Sequence, residues 1–173
     1  MKFDEDAKVA GWTRDVEVGD SVAYKKSAML FAFITTVPGI PIIYYGDEVG
    51  MPGGNDPDNR KMMNFDNLKP EQAKLKYTAE RLIKLRRSSM ALIYGDFKFL
   101  FVDDEVMVYQ RTYFDKVVII VLNNSDESEP LFVPIDKMYD YSKMESIFDN
   151  CFAIGDNELQ INIEGNSFEI LMN

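Results

Sequence analysis

The most informative stretch of this chain is Val37-Pro38-Gly39-Ile40-Pro41-Ile42-Ile43-Tyr44-Tyr45-Gly46-Asp47-Glu48. Pro38 disfavours a helical backbone at Val37, so a helix that precedes it must end there. Residues 40–45 are rich in β-formers and do not alternate with polar residues, which is typical of a strand buried on both faces of a parallel sheet. The stretch therefore predicts the end of a helix, then a buried strand, then a loop.

Two helices are predicted on either side of this strand. Asp20 is a suitable N-cap for a helix over residues 20–36, whose second half is apolar nearly all round and so needs burial against more than one neighbour. Pro70 fits the first position of a second, amphipathic helix over residues 70–87. Helix, strand and helix in this order form a piece of repeated βα units. Residues 1–19 predict a loop with room for one helical turn.

The pattern changes to a period of two after Leu92, and turn residues separate the segments. We expect strands over residues 97–102, 106–113, 116–122, 131–135, 144–148, 159–163 and 167–171. Short strands at this spacing are typical of an antiparallel sandwich, here of a Greek-key-like kind. The predicted fold class is thus α/β plus all-β, with an incomplete barrel segment over residues 1–91 and a β-sandwich domain over residues 92–173.

Composition excludes several classes of function. The formal net charge of −10 disfavours binding to nucleic acid. Histidine is absent and Cys151 is the single cysteine, so this sequence offers no Ser-His-Asp or Cys-His catalysis, no internal disulfide and no thiolate metal cluster. No apolar run is long enough to cross a membrane. We expect no cofactor, no metal, no nucleic acid and no membrane as partners.

The stretch quoted above, together with Gly53-Gly54-Asn55-Asp56-Pro57-Asp58-Asn59-Arg60, resembles the region around the eighth barrel strand in the α-amylase superfamily. The Asp-Pro-x-x-Arg loop is most similar to neopullulanases, cyclomaltodextrinases and related bacterial amylases. The resemblance implies a (β/α)8 barrel followed by a C-terminal β domain, in a retaining glycoside hydrolase that acts on the O-glycosyl bonds of α-glucans. Residues 20–36, 40–45 and 70–87 would be the seventh helix, the eighth strand and the eighth helix.

The family cleaves its substrate with an Asp nucleophile, a Glu acid/base and a further Asp in an Asn-His-Asp motif. Because this sequence has no histidine, that motif lies outside it, and we expect no catalytic residue within residues 1–173. Asp47 and Glu48 are adjacent in sequence and aim at opposite faces, so they suit caps and loop hydrogen bonds better than a convergent acid pair. The chain alone is predicted to be inactive.

Asp56, Arg60 and Tyr45 are the predicted substrate-binding residues. A carboxylate and a guanidinium on one loop can clamp vicinal sugar hydroxyls, and the resemblance implies that this loop contacts sugar. The alternative is an internal Asp–Arg bridge that only holds the loop. Tyr45 or Tyr44 could stack on a sugar ring, with packing into the barrel as the alternative. Trp12 could also stack on sugar or be buried against the helix over residues 20–36.

Two further hypotheses concern the β domain. It could be a non-catalytic glucan-binding module, for which the evenly spaced Phe99, Phe101, Tyr109 and Tyr113 would share a face; that face suits a core better. It could instead have a structural or dimerisation role. The expected partners are an α-glucan in the complete enzyme, the remainder of the barrel, and a second copy in a homodimer. We expect residues 93–173 to fold well without the first half.

Overall fold

The computed structural model describes residues 5–155 and 157–173, and these form three layers. The first layer is helical, the second is a five-stranded sheet and the third is a three-stranded sheet. The helices are α1 (Ala7–Thr13), α2 (Val22–Thr36), α3 (Pro70–Ser88) and α4 (Met90–Tyr94). The strands are β1 (Asp96–Val102), β2 (Val106–Tyr113), β3 (Lys116–Asn123), β4 (Glu129–Pro134), β5 (Glu145–Ser146), β6 (Phe152–Ile154), β7 (Glu158–Ile163) and β8 (Ser167–Met172). No helix within the described ranges is long and apolar enough to span a membrane.

Both sheets are antiparallel, which confirms the predicted β-sandwich. The strand order is β1-β2-β3-β8-β5 in the larger sheet and β4-β7-β6 in the smaller. After β3 the chain forms β4 in the smaller sheet and returns to the larger sheet at β5. It then forms β6 and β7 in the smaller sheet and ends at β8, which pairs with β3 and β5. These crossings place β8 beside β3, the central strand of the larger sheet, although the two strands are far apart in sequence.

Two apolar cores separate the three layers. One lies between the sheets and is formed by inward side chains of β3, β4 and β7, including Ile119, Val121, Leu131, Val133, Leu159 and Ile161. The other lies between the helices and the outer side of the larger sheet, including Phe31, Ala32, Leu75, Leu82, Tyr109, Ile120 and Ile170. Strand β3 is buried on both faces except at its first residue. Each fully buried aliphatic side chain contributes roughly 1.5–3 kcal/mol, so both cores stabilise the molecule substantially.

The starts of the two long helices lie close to those predicted, although the N-cap of α2 is Ser21 and not Asp20. The Asp20 carboxylate accepts the backbone N–H of Val22 at 2.9 Å, where α2 begins. Pro70 is the first residue of α3, and the Gln72 side chain accepts the N–H of Lys69 at 3.0 Å. These contacts satisfy donors that the first turn of a helix leaves without a partner.

Helix α1 is longer than the single turn that the sequence allows for residues 1–19. Asp6 caps it by accepting the N–H groups of Lys8 and Val9 at 2.8 and 3.1 Å. Gly11 in its middle lowers the helix propensity, yet a Cβ there would lie 2.8 Å from the Cβ of Asp58. The glycine that weakens the helical signal is thus required by close packing on the loop over residues 46–61.

The structure does not confirm the strand predicted over residues 40–45, because those residues form no strand in this chain. Ile40 and Ile42 are 90% and 86% exposed. A strand needs neighbours to pair its backbone N–H and C=O groups, and the eight strands of the described residues pair elsewhere. The segment keeps its apolar side chains without the sheet that would bury them.

The prediction that Phe99 and Phe101 share a face is also wrong. Phe99 pairs with Tyr109, but Phe101 pairs with Val108, so the register shifts between the two phenylalanines. Such a β-bulge inserts a residue and turns the following side chains to the other face. Phe101 packs in the core between the sheets, whereas Tyr109 is fully buried in the core beneath the helices. The core interpretation of Tyr109 is therefore confirmed.

Arg86 connects the two long helices. Its guanidinium donates to the carbonyl oxygens of Thr35, Val37 and Gly39 at 3.2, 3.0 and 2.6 Å. These carbonyls lie at the C-terminal end of α2 and in the turn after it, where the helix has no N–H groups of its own left to bond them. Burial lowers the pKa of Arg86. Its charge is thus held by backbone dipoles.

Arg111 makes the matching connection from the β domain. It donates to the carbonyl of Thr36 at 2.6 Å, and to those of Gly95 and Asp96 at 2.8 and 3.3 Å. The hydroxyls of Thr36 and Tyr109 are 2.5 Å apart beside it. These bonds fix the end of α2, and the start of the segment that leads to residues 46–61, against the larger sheet.

Candidate functional site

The loop over residues 46–61 is the candidate site, and it begins at a tight turn. Gly46 has a φ of 93°, a conformation that favours glycine. The Glu48 carboxylate accepts the N–H of Gly46 at 2.8 Å, which is the loop hydrogen bond predicted for it. Gln72 of α3 donates to the carbonyl of the buried Val49 at 3.0 Å. The first part of the loop is therefore anchored on α3.

Asp56 and Arg60 are paired with each other. The Nε and Nη2 atoms of Arg60 donate to the two carboxylate oxygens of Asp56 at 3.1 and 2.9 Å. Both side chains are more than half exposed, so this bidentate pair faces solvent and contributes little to stability. The internal bridge foreseen from the sequence exists, and its polar atoms remain accessible to a ligand.

Asp58 holds the shape of the loop. Its carboxylate accepts the N–H of Gly54 at 2.7 Å and lies 3.2 Å from the ammonium of Lys61. The hydrogen bond from Gly54, with help from Lys61, lowers the pKa of Asp58 below its usual value. Gly54 itself lies against α1, where an added Cβ would be 2.7 Å from the carbonyl oxygen of Ala7. Asp58 thus presents Asp56 and Arg60 from a rigid base, a role that the sequence analysis missed.

Tyr45 lies beside this loop. Its hydroxyl donates to the carbonyl of Lys61 at 3.2 Å, and its ring centroid is 4.7 Å from that of Tyr44. Partial burial beside Tyr44 raises the pKa of Tyr45, while the charge of Arg60 lowers it. Both rings remain about half exposed, so neither packs into a core of this chain. The structure therefore ties the Tyr45 hydroxyl to the backbone next to Arg60.

Trp12 is exposed on α1, so the predicted burial against α2 is wrong. The reason is that α1 packs against the loop through Ala10 and Gly11, which leaves the next side chain outside. Trp12 follows directly the glycine that contacts Asp58. An accessible indole thus lies on the helix that supports the loop.

The acidic groups of the loop do not form a catalytic pair. Burial raises the pKa of Asp47, whereas the neighbouring Glu48 is used in the hydrogen bond to Gly46. Among the residues that the structure describes, no group of three or more His, Cys, Asp and Glu side chains could hold a metal ion. The arrangement offers hydrogen-bond donors, acceptors and aromatic rings, which is the chemistry of binding a polar, uncharged ligand.

The chain is similar to proteins of the α-amylase family. Residues 95–171 match the family model of the α-amylase C-terminal domain. The cyclomaltodextrinase of Geobacillus thermopakistaniensis is 45% identical over 114 residues, which are 65% of this chain and 19% of that enzyme. The chain therefore spans about a fifth of the length of this relative.

Two solved structures resemble the chain over both of its halves. The Anoxybacillus α-amylase has a TM-score of 0.75 and 27% identity over 86% of this chain and 32% of that one. The α-amylase of Geobacillus thermoleovorans, complexed with acarbose, has a TM-score of 0.74 and 28% identity over 88% of this chain and 33% of that one. These matches cover more residues than the β domain contains, so they include part of the helical layer.

Proposed function

We infer, from the premise that this chain belongs to the α-amylase superfamily and carries its C-terminal domain over residues 95–171, that it is the C-terminal part of an α-glucan-hydrolysing enzyme. The observation that supports this most is the match to two α-amylases across both the helical and the β layers. The chain contributes a substrate-binding loop and a stabilising β domain, and it does not itself hydrolyse glucan.

In this proposal residues 1–91 are the last unit of a (β/α)8 barrel and residues 92–173 are the C-terminal β domain. Helices α2 and α3 are the seventh and eighth barrel helices, and residues 40–45 become the eighth strand once neighbouring strands are present. The high exposure of Ile40 and Ile42 supports this, because a central barrel strand carries apolar side chains that the rest of the barrel buries. The occupant of this surface is the remainder of the barrel; a homodimer is the alternative, and sedimentation of the isolated chain distinguishes them.

The binding role falls on Asp56, Arg60 and Tyr45. In the complete enzyme Arg60 and Asp56 exchange part of their mutual hydrogen bonding for vicinal hydroxyls of a glucose unit, and the ring of Tyr45 packs against a sugar face. The exposure of Asp56 and Arg60, and the hydrogen bond of Tyr45 to Lys61 of the same loop, support this role. Because Asp58 fixes the loop, little conformational entropy is lost when the sugar binds.

The β domain has a structural role in the same proposal. It covers one face of α2 and of α3, and Arg111 binds the carbonyl at the end of α2. A barrel helix held in this way keeps the strand after it in place, so the domain supports the binding loop at a distance.

A chimera tests the proposal. This chain replaces the matching C-terminal part of the cyclomaltodextrinase of Geobacillus thermopakistaniensis, and reducing ends released from maltodextrin and cyclodextrin are measured. We expect activity from the chimera and none from the isolated chain. In the chimera, Asp56→Ala and Arg60→Ala should raise KM by about tenfold, since they remove sugar contacts made throughout the reaction.

The control is Asp66→Ala, which removes an exposed carboxylate from the same region. Its KM should stay within about twofold of the parent chimera. Turnover by the pure isolated chain would contradict the assignment of catalysis to other residues. Unchanged KM in both Asp56→Ala and Arg60→Ala would contradict the binding role of the loop.

A further inference from the structure

Helix α1 and the loop over residues 46–61 meet through two glycines. A Cβ added at Gly11 would lie 2.8 Å from the Cβ of Asp58. A Cβ added at Gly54 would lie 2.7 Å from the carbonyl oxygen of Ala7 and 3.1 Å from the Cα of Gly11. A side chain at either position would therefore push the helix and the loop apart, because the two segments approach too closely for one.

Helix α1 packs on this loop and not on the apolar cores. Of its seven described residues, Ala10 alone is buried, and Ala10 belongs to neither core. Seven residues are too few for a stable isolated helix in water, and Gly11 weakens the helix further. Helix α1 therefore depends on its contact with the loop, while both cores are complete without it.

Asp58 connects this contact to the Asp56–Arg60 pair. It lies between the two residues in the sequence, and its carboxylate accepts the N–H of Gly54 at 2.7 Å. The Asp58 side chain is 12% exposed, whereas those of Asp56 and Arg60 are 51% and 68% exposed. The loop thus turns Asp58 towards α1 and the pair towards solvent, so a displacement of Asp58 would move both members of the pair.

We propose that Gly11 is a positioning residue for the Asp56–Arg60 pair, and that the docking of α1 on Asp58 sets the affinity of the loop for its sugar. The proposal rests on the glucan-binding function proposed for this loop. A loop that is held in its binding geometry loses less conformational entropy when the ligand binds. Release of α1 therefore weakens sugar binding and leaves the chemical step unchanged.

The docking of α1 can be measured in the full chain. Trp12 is the single tryptophan of the sequence and follows Gly11 directly, so its fluorescence anisotropy reports whether α1 is held on the loop. Gly11→Ala should lower this anisotropy, although alanine has the higher helix propensity. Hydrogen exchange of the Gly54 amide should become about tenfold faster, because the hydrogen bond to Asp58 opens more often. The urea midpoint should not change, since Gly11 lies outside both cores.

Two controls assign these effects to the contact. Gly19→Ala is the matched substitution, because an added Cβ at Gly19 meets no atom within 4 Å, and it should change neither the anisotropy nor the exchange rate. Asp58→Gly removes the side-chain atoms that a methyl group at residue 11 would meet. In that background Gly11→Ala should have little further effect on the anisotropy, as expected for two residues in direct contact.

The chimera described above gives the functional measurement. In it Gly11→Ala should raise KM about fivefold and leave kcat within about twofold, because the substitution disturbs sugar binding and no reacting group. Gly19→Ala should leave both constants unchanged. This division between KM and kcat distinguishes positioning of the pair from a general loss of folded enzyme, which would lower the apparent kcat instead.

Three results would overturn the proposal. Unchanged anisotropy in Gly11→Ala would show that docking of α1 does not need a glycine. Lower anisotropy with unchanged KM, where Asp56→Ala does raise KM, would show that α1 does not position the pair, and would leave the function of the loop intact. Unchanged KM in Asp56→Ala and Arg60→Ala as well would refute the binding function itself, and this proposal with it.

Discussion

Arg86 and Arg111 are unusual because two buried guanidinium groups are neutralised by carbonyl dipoles. Each donates to three carbonyl oxygens. Arg86 binds those of Thr35, Val37 and Gly39, and Arg111 binds that of Thr36 together with two near the start of β1. A buried charge without partners costs several kcal/mol, so these bonds are required for the fold rather than optional. Replacing one arginine leaves carbonyls that are buried without donors.

Arg86→Met tests this at the scale of one residue. Methionine keeps the length of the side chain but donates no hydrogen bond, so we expect the free energy of unfolding to fall by about 3 kcal/mol. Urea denaturation measures the change. The matched control is Arg87→Met, on the exposed neighbouring position of α3, which should change stability by less than about 0.5 kcal/mol. Equal effects of the two substitutions would refute the role of the carbonyl contacts.

The ionisation of Tyr109 should make the free energy of unfolding depend on pH in the alkaline range. Burial raises its pKa far above the ordinary value of a tyrosine, although the hydrogen bond with Thr36 and the charge of Arg111 act in the opposite direction. The unfolded chain releases this proton near pH 10 while the folded chain retains it, so stability falls as pH rises above about 10. Tyr141, whose pKa burial raises to about 12, adds to the same trend.

Tyr109→Phe removes one of these protons. We expect a loss of about 1 kcal/mol at pH 8, because the hydroxyl contact with Thr36 disappears while Thr36 keeps its bond to Ala32. Between about pH 10 and 11 the stability of this variant should fall less steeply than that of the parent. Urea midpoints at a series of pH values measure both effects, and parallel curves would show that Tyr109 is not responsible.

Some of these residue roles could be predicted from sequence and others could not. Asp56 and Arg60 are four residues apart in one loop, so their pairing is visible in the sequence. Arg111 acts on Thr36, a contact of 75 residues in separation with a backbone atom that every residue possesses. No sequence pattern identifies such an acceptor, because the Thr36 carbonyl comes within reach of Arg111 only when the helical layer packs on the larger sheet.

At the scale of the element, residues 40–45 have a high β-propensity but form no strand. Their β-formers indicate a strand, but an isolated segment has no partner for its backbone, and the described residues place no strand beside it. The composition of a segment indicates whether it can form a strand in a sheet. It does not indicate whether neighbouring strands are present to pair with it.

An exposed apolar segment with unpaired backbone groups favours self-association. Ile42→Lys should therefore reduce light scattering and oligomer formation by the isolated chain. Its free energy of unfolding should change by less than about 0.5 kcal/mol, because Ile42 is 86% exposed. Ile43→Lys is the comparison, since Ile43 packs against the core beneath the helices and its replacement should lower stability. Unchanged association of Ile42→Lys would show that another surface is responsible.

The elements of the β domain were more predictable than those before it. Alternation and turn residues identify β2, β3, β4, β7 and β8 closely. The bulge after Phe99 could not be predicted from the sequence, because an extra residue in a strand leaves its composition unchanged. The bulge is visible only in the pairing of β1 with β2. The full length of helix α1 was not predicted for a related reason. Gly11 lowers its helix propensity, and the contact with Asp58 that requires this glycine is a tertiary one.

At the scale of the whole molecule, the larger sheet belongs to both halves of the chain. Its inner face packs on the smaller sheet and its outer face packs on α2 and α3. The expectation that residues 93–173 fold well by themselves considers only the first of these cores. The shared core indicates instead that the helices and the β domain stabilise each other.

A truncation decides between these views. Residues 92–173 alone would expose the apolar side chains that Phe31, Leu75 and Leu82 now cover, including those of Ile120 and Ile170. We expect this fragment to bind the dye ANS and to lose more than about 3 kcal/mol of unfolding free energy relative to the full chain, since several large side chains return to water. The control is a chain that begins at residue 15, which lacks α1 but keeps both cores and should retain the stability of the β domain.

Cooperative unfolding of residues 92–173 at the midpoint of the full chain, without ANS binding, would mean that the sheet does not need its helical cover. A loss confined to the larger truncation would assign the stability of the outer sheet face to α2 and α3, and would explain why the contacts of Arg111 cross between the layers.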